Sequence, residues 1–365
     1  MKTYLSAIET AVPDHQIPQQ DIAEFMIKAH ALDAEESRKL RFIYRASGIQ
    51  SRHSVIPDYG TSPDRFSFYP ANDLLDPFPN VKNRMQLFEK EAPLLMQKAV
   101  GKVLQQLPAQ AITHLITVSC TGMYAPGLDF DLMQHFGISG SVERYAINFM
   151  GCYAAFNALK LAHHICQSNP TANVLIADVE LCTLHFQKDY TEDNLIANAL
   201  FADGAAAVLV QGEQSVYLKE PLFTIEKFAC SQSPKGADAM AWHIGDFGFE
   251  MKLSSYVPQL VGEGIPDLVD ALLKNGEQLQ ADHYAIHPGG KKILEAIEKA
   301  LSISAAANQT SYDVLSQYGN MSSVTVLFVL KALAEKLTDT PADQNVLSMA
   351  FGPGLTLESM LLKTT

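Results

Sequence analysis

A cysteine, a histidine and an asparagine each stand at the edge of a short apolar run. Cys152, in MGCYAA, lies at a predicted strand-to-helix junction. The first turn of a helix has unpaired N–H groups and the positive end of the macrodipole. A thiol there is expected to have a depressed pKa and to be a nucleophile at neutral pH. The plainer use of a free cysteine is as a small buried hydrophobe. His287 closes HYAIH and precedes Pro288-Gly289-Gly290. That is the carboxyl end of a strand, where α/β sheets place functional side chains; a hydrogen-bonded core histidine is the alternative. Asn320, in YGNMSS, stands at a predicted helix start, where asparagine also serves as an N-cap.

Other chemistries fail on residue type. His283 and His287 have the i,i+4 spacing of a zinc helix, but Tyr284 replaces the glutamate of HExxH and the segment reads as a strand. No metal site is expected. Gly290-Lys291-Lys292 lacks the earlier glycine and the following Ser/Thr of a phosphate loop. The order Cys, His, Asn is also that of papain-like proteases. Here the cysteine is at mid-chain, its flanks are not CGSCW-like, and no disulfide framework appears.

The elements that must position these residues are short apolar runs at 114–120, 144–149, 173–182, 205–210, 283–287 and 345–351. They read as strands buried on both faces. Helical patterns at 152–166 and 324–337 fall between them, and 75–107 is mostly helical. Residues 56–81, rich in Pro, Asp and aromatics, read as a long ordered loop. Strand–helix alternation predicts an α/β fold. The sequence of strand, turn and helix around Cys152 recurs, at similar intervals, around Asn320. This predicts two similar halves, 1–215 and 216–365, related by a pseudo-twofold axis. Two sheets on shared central helices would bring Cys152, His287 and Asn320 near that axis.

The 365 residues are 47% hydrophobic and 18% charged, the composition of a globular chain, with a net charge of −13. A broad nucleic-acid footprint needs a cationic surface and is not expected. Five cysteines without a CxxC pair, no signal peptide and no membrane-length apolar run predict free thiols in a reducing cytoplasm.

MGCYAA at 150–155, ALFADGAA at 199–206, IHPGG at 286–290, YGNMSS at 318–323 and FGPGLTLE at 351–358 together carry a resemblance. The chain resembles the type III polyketide synthases, the chalcone-synthase-like branch of the thiolase fold, in its bacterial form. The resemblance implies a five-layer αβαβα fold and a cytoplasmic homodimer using acyl-CoA and malonyl-CoA, with no resident cofactor. Cys152 would carry the acyl group, with His287 as its ion-pair partner; His287 and Asn320 would stabilise the enolate from malonyl-CoA. Phe223, Met251, Trp242, Cys120, Cys182, His185, Ser322, Gly352 and Pro353 would form the substrate cavity, with Phe223 and Met251 as its gate. Cys166 and Cys230 would be core. Lys39, Arg41, Arg45 and Lys292 would meet coenzyme A, with Arg38 and Arg52 nearby. A medium or long aliphatic starter and few extensions would give an alkylpyrone, alkylresorcinol or acylphloroglucinol. The alternative is a synthase III-like enzyme performing one condensation on a carrier-protein substrate.

Overall fold

The computed structural model describes residues 1–232, 236, 239–254, 256–273, 281–338 and 340–365. Its first half runs β1 (Thr3–Ala11), β2 (His15–Pro18), α1 (Gln19–Ala29), α2 (Ala34–Ala46), β3 (Ser51–Ser54), α3 (Val81–Val103), β4 (His114–Ser119), α4 (Leu128–Phe136), β5 (Glu143–Asn148), α5 (Ala154–Ser168), β6 (Asn173–Leu181), α6 (Glu192–Leu200) and β7 (Asp203–Gly212). The second runs β8 (Phe223–Gln232), β9 (Met240–Gly245), β10 (Gly248–Leu253), α7 (Val257–Leu273), β11 (His283–Ile286), α8 (Lys291–Leu301), α9 (Gln309–Tyr318), α10 (Val324–Lys336), β12 (Asn345–Gly352) and β13 (Thr356–Thr364).

Among the described residues, nine strands join in the order β11-β12-β13-β8-β1-β7-β6-β4-β5. The middle join is slight: β1 and β8 share the pairs Tyr4–Thr224 and Leu5–Phe223. Strand order repeats on either side of it. β1, β7 and β6 are successively antiparallel, and β6 is parallel to β4. β8, β13 and β12 are successively antiparallel, and β12 is parallel to β11. The expected internal repeat is thus a repeat of sheet topology, with β5 added to the first half.

Side chains alternate across each strand and sort the core into layers. Val174 and Ile176 of β6 share a core with Val346 and Ala350 of β12. Leu175 and Ala177 face α3 on one outer side; Leu347, Met349 and Phe351 face α7 and α8 on the other. The shared core holds α5 and α10. In α10 every residue from Val324 to Leu330 is buried, as suits a helix between two sheets. The result is the expected αβαβα layering.

Three local expectations are corrected. The run at 144–149 falls on β5 (Glu143–Asn148), an exposed edge strand, rather than on one buried on both faces. The helix expected from Leu75 begins at Val81, because Leu75 has a φ of 56° and the Asn80–Asn83 capping box sets the start. Cys230 is exposed on β8, whereas Cys166 is buried as expected. The loop before α3 is ordered by Asp58, whose carboxylate accepts the N–H groups of Ser67, Phe68 and Tyr69.

Candidate active site

Cys152 lies in the turn that opens α5. Gly151 before it has a φ of +78°, and a Cβ there would lie 2.2 Å from Pro353 Cδ, so only glycine fits. A Cβ on Gly352 would lie 3.1 Å from the Cys152 nitrogen. The FGPG segment therefore packs directly on the thiol's loop. From the other side, Cys120 Sγ accepts the Gly151 N–H at 3.0 Å.

Asn320 is buried in the turn before α10, whose first helical residue is Val324. It is not the helix cap. Its main chain bridges to Phe201, between α6 and β7, and its carbonyl accepts the Ala202 N–H at 2.9 Å. Its Oδ1 accepts the Ser322 N–H at 2.9 Å, and its Nδ2 donates to the Gly289 carbonyl at 3.2 Å. That carbonyl belongs to the loop of His287. The His287 ring lies 5.4 Å from Phe351, next to Gly352. The three residues therefore converge, each from a different element end, as the repeat predicted. His287 is fully buried, and neither ring nitrogen has a hydrogen-bond partner among the described residues.

The electrostatics differ from expectation. Burial pushes the Cys152 thiol up to about 12, although Ser322 and Asn320 favour its ionised form. Burial pushes His287 down to about 3. Desolvation is the largest influence on both groups and opposes the charged form of each, so it works against the ion pair that the resemblance implies. His185, also buried, is likewise pushed to about 3. An unfolded chain protonates both histidines below about pH 6.5, while the folded one does not. Their share of stability is therefore complete above that pH and lost as pH falls toward 3. The melting temperature should drop on acidification through this window, less steeply for His287→Gln; an identical slope in scanning calorimetry would refute this.

A solvent-open pocket is lined by Cys182, His185, Phe201, Trp242, Phe249 and Met251, with Arg52 at its wall; Cys152, His287 and Asn320 are not among its lining residues, and Phe201, whose backbone bridges to Asn320, links it to them. Trp242 pairs with Met251 across β9 and β10 and donates its indole N–H to the Cys120 carbonyl at 2.8 Å. His185 stacks on Phe249 at 4.2 Å, donates from Nε2 to the Thr121 carbonyl and accepts the Phe249 N–H at Nδ1. Phe223 is not part of this space. It opens β8 between β1 and β13, buried in the shared core. The aromatic that stands between cavity and Asn320 is Phe201, within ALFADGAA. The motif itself was the signal that could have found it.

On α2, Arg38, Lys39, Arg41, Phe42 and Arg45 are all exposed. Arg41 is held by Glu24 through a two-point contact at 2.6 and 2.9 Å. Lys291 lies beside Gly48 near the end of α2, and Lys292 is exposed next to it on α8. Arg52 is buried and spends its guanidinium on Gln19, Asn198 and Phe201, so it is not a surface cation. Arg45→Glu should raise KM for coenzyme A esters more than for N-acetylcysteamine thioesters, which lack phosphates. Equal weakening of both would instead assign Arg45 to the fold.

This is the thiolase-like architecture of condensing enzymes, and comparisons with known proteins narrow it. The family model for the N-terminal domain of chalcone and stilbene synthases matches residues 1–214, and that for their C-terminal domain matches 226–365. The chain belongs to this family and is a type III polyketide synthase. It is 31% identical to the alpha-pyrone synthesis polyketide synthase-like Pks18 of Mycobacterium tuberculosis, covering 98% of this chain and 90% of Pks18. It is also 31% identical to probable polyketide synthase 1 of Dictyostelium discoideum, covering 99% of this chain but 11% of that longer protein. The type III domain of Steely1, a type I/III hybrid from Dictyostelium, superposes with a TM-score of 0.91 at 29% identity, covering 100% and 99% of the two chains. PKS-I of the brown alga Ectocarpus siliculosus gives 0.91 at 28%, covering 100% and 98%.

Proposed function

We propose that Cys152 carries the growing acyl chain and that His287 and Asn320 stabilise the enolate that extends it. The observation that supports this most is the fully buried imidazole of His287, both of whose nitrogens lack a hydrogen-bond partner among the described residues. Leaving such a group unpaired is costly unless a substrate oxygen completes it. Cys152 Sγ attacks the starter thioester; His287 takes the thiol proton and returns it to the departing coenzyme A thiolate. Malonyl-CoA then loses CO2, and the electron pair of the broken C–C bond forms an enolate. Its oxygen accepts from His287 and from the free N–H of Asn320, each donor worth about 3–4 kcal/mol to the transition state. The enolate carbon attacks the Cys152 thioester and releases the thiolate and a longer β-ketoacyl-CoA. A neutral ring has one nitrogen that accepts in loading and one N–H that donates in decarboxylation.

The starter is an aliphatic acyl-CoA of medium or long chain, and the product an alkylpyrone, alkylresorcinol or acylphloroglucinol. Met251 at the cavity is unbranched and adaptable, and Cys182 beside it is small. Each buried CH2 contributes about 0.8 kcal/mol, so kcat/KM should rise with chain length until the channel is full. The similarity to Pks18 favours the pyrone. Coenzyme A docks by its phosphates at Lys39, Arg45, Lys291 and Lys292, and Arg41 serves the α1–α2 contact. The enzyme works in the cytoplasm without a resident cofactor; among the described residues no helix is long and apolar enough to cross a membrane. Met123, Phe130, Tyr145 and Met150, exposed around β5, give a second copy an apolar face for a homodimer.

The deciding experiment incubates the pure protein with malonyl-CoA and a panel of acyl-CoAs and reads products by mass. Aromatic esters or malonyl-CoA outcompeting every fatty acyl-CoA would overturn the starter assignment. A single extension, faster from an acyl carrier protein, would favour the synthase III alternative. Met251→Phe should slow long starters more than short ones. Trp242→Gly should lengthen the polyketide, because the indole fills cavity beside the Cys120 carbonyl; unchanged product length would exclude that role.

A further inference from the structure

Beneath the reactive loops lie two fully buried carboxyls that the reaction above does not use, Asp178 and Glu180 of β6. Being two residues apart on a strand, both face the central layer. Ser323, also fully buried, lies with Oγ 2.9 Å from Asp178 Oδ1 and 2.8 Å from Glu180 Oε1. A hydroxyl has one proton and cannot serve two ionised carboxylates. One carboxyl must bring its own proton.

The remaining contacts say which. Glu180 Oε2 accepts the Cys120 N–H at 2.9 Å and the Thr121 hydroxyl at 2.8 Å. The Thr121 oxygen in turn accepts the Leu181 N–H at 2.9 Å, so its proton points to Glu180. Glu180 thus has three donors and is the anion. Among the described residues Asp178 hydrogen-bonds only to Ser323, and its Oδ2 has no partner. We propose that Asp178 is held as a neutral carboxylic acid that donates to Ser323, and so positions the Asn320–Ser322 turn against the Cys152 loop.

The chain of contacts runs from Asp178 to Ser323 to Glu180, then through the Cys120 amide to Cys120 Sγ and the Gly151 N–H beside the nucleophile. It couples the turn of one half to the loop of the other. The groups facing Asp178 are Glu180 on its own strand, Ser323 before α10 and the thiol of Cys120 after β4; its neighbours on β4 and β7 are Val118 and Ala206. No cation among the described residues pairs with either carboxyl. Burial and the charge of Glu180 both push Asp178 up. Ionising it would remove the donor to Ser323 and place a second negative charge near the Cys120 thiol, which Glu180 already holds up.

The positioning role rests on the assignment of Cys152 as nucleophile; the protonation state does not. Infrared spectra of the wild-type protein carrying carbon-13-labelled aspartate should show a buried carboxylic acid C=O band at neutral pH that vanishes at alkaline pH. Asp178→Asn keeps an N–H donor to Ser323. It should load and condense at near wild-type rate at neutral pH, and should lose the alkaline fall in kcat tied to that band. Asp178→Ala should lower kcat by about 10–100-fold, the size usual for a group that orients a reactive one, with KM unchanged. Absence of the labelled band overturns the neutral acid, whatever Cys152 does. Asp178→Asn failing as badly as Asp178→Ala, or Asp178→Ala matching wild type, overturns the positioning role.

Discussion

Cys152→Ala should abolish acyl loading and polyketide formation and leave the fold intact. The side chain is buried in a turn whose shape is set by Gly151, Pro353 and Gly352, none of which needs the sulfur. Incubation with an acyl-CoA should add one acyl mass to the wild-type protein and none to the variant. The competing thiols are Cys120 and Cys182, both buried nearby. Cys120 is committed to the Gly151 N–H, and burial together with the charge of Glu180 pushes both thiols well above the usual range. An adduct of equal yield on the variant would transfer the nucleophile's role to one of them.

Asn320→Ala should reduce malonyl-CoA decarboxylation by about 100–1000-fold, the usual loss for one oxyanion donor. Starter loading should suffer far less, because there His287 handles the proton. The variant also severs the link to the Gly289 carbonyl and the Ser322 N–H. Asn320→Asp, which keeps the acceptor for Ser322 but has no fixed donor, separates the two effects. If loading and decarboxylation fall equally in both variants, Asn320 shapes the turn rather than the enolate.

The site was legible in the sequence where chemistry and topology coincide. Cys152, His287 and Asn320 each close a strand or open a helix, and the repeat of those junctions predicted their convergence. Continuous apolar runs found β4, β6, β7, β11 and β12, because strands covered on both faces must be apolar throughout. The same rule misread β5, whose run RYAINF is apolar enough to look covered although it lies at an open edge. Phe223 and Phe201 are the same residue type near strand starts; only the cross-strand register shows that one faces the core and the other the cavity. A helix start favours a thiolate at Cys152, but the burial that opposes it depends on how the turn is covered, which sequence does not show. Asp178 and Glu180 were visible as two acids inside an apolar run, i and i+2, on one face of a strand. That pattern marks a buried carboxyl pair, but the shared Ser323 proton needs the tertiary fold.

The indole that caps the cavity is the only tryptophan in the chain. It is anchored by one hydrogen bond to Cys120 and sits edge-on to His185 and Phe249, at 5.6 and 5.9 Å between ring centres. All tryptophan emission from this chain therefore originates at the wall of the pocket that the proposed function makes the reaction chamber. Acyl chains that enter will change the polarity around a single fluorophore, with no contribution from elsewhere in the molecule to subtract. Chamber filling, chain elongation and product escape can be followed in real time by fluorescence, without labelling the enzyme or its substrates.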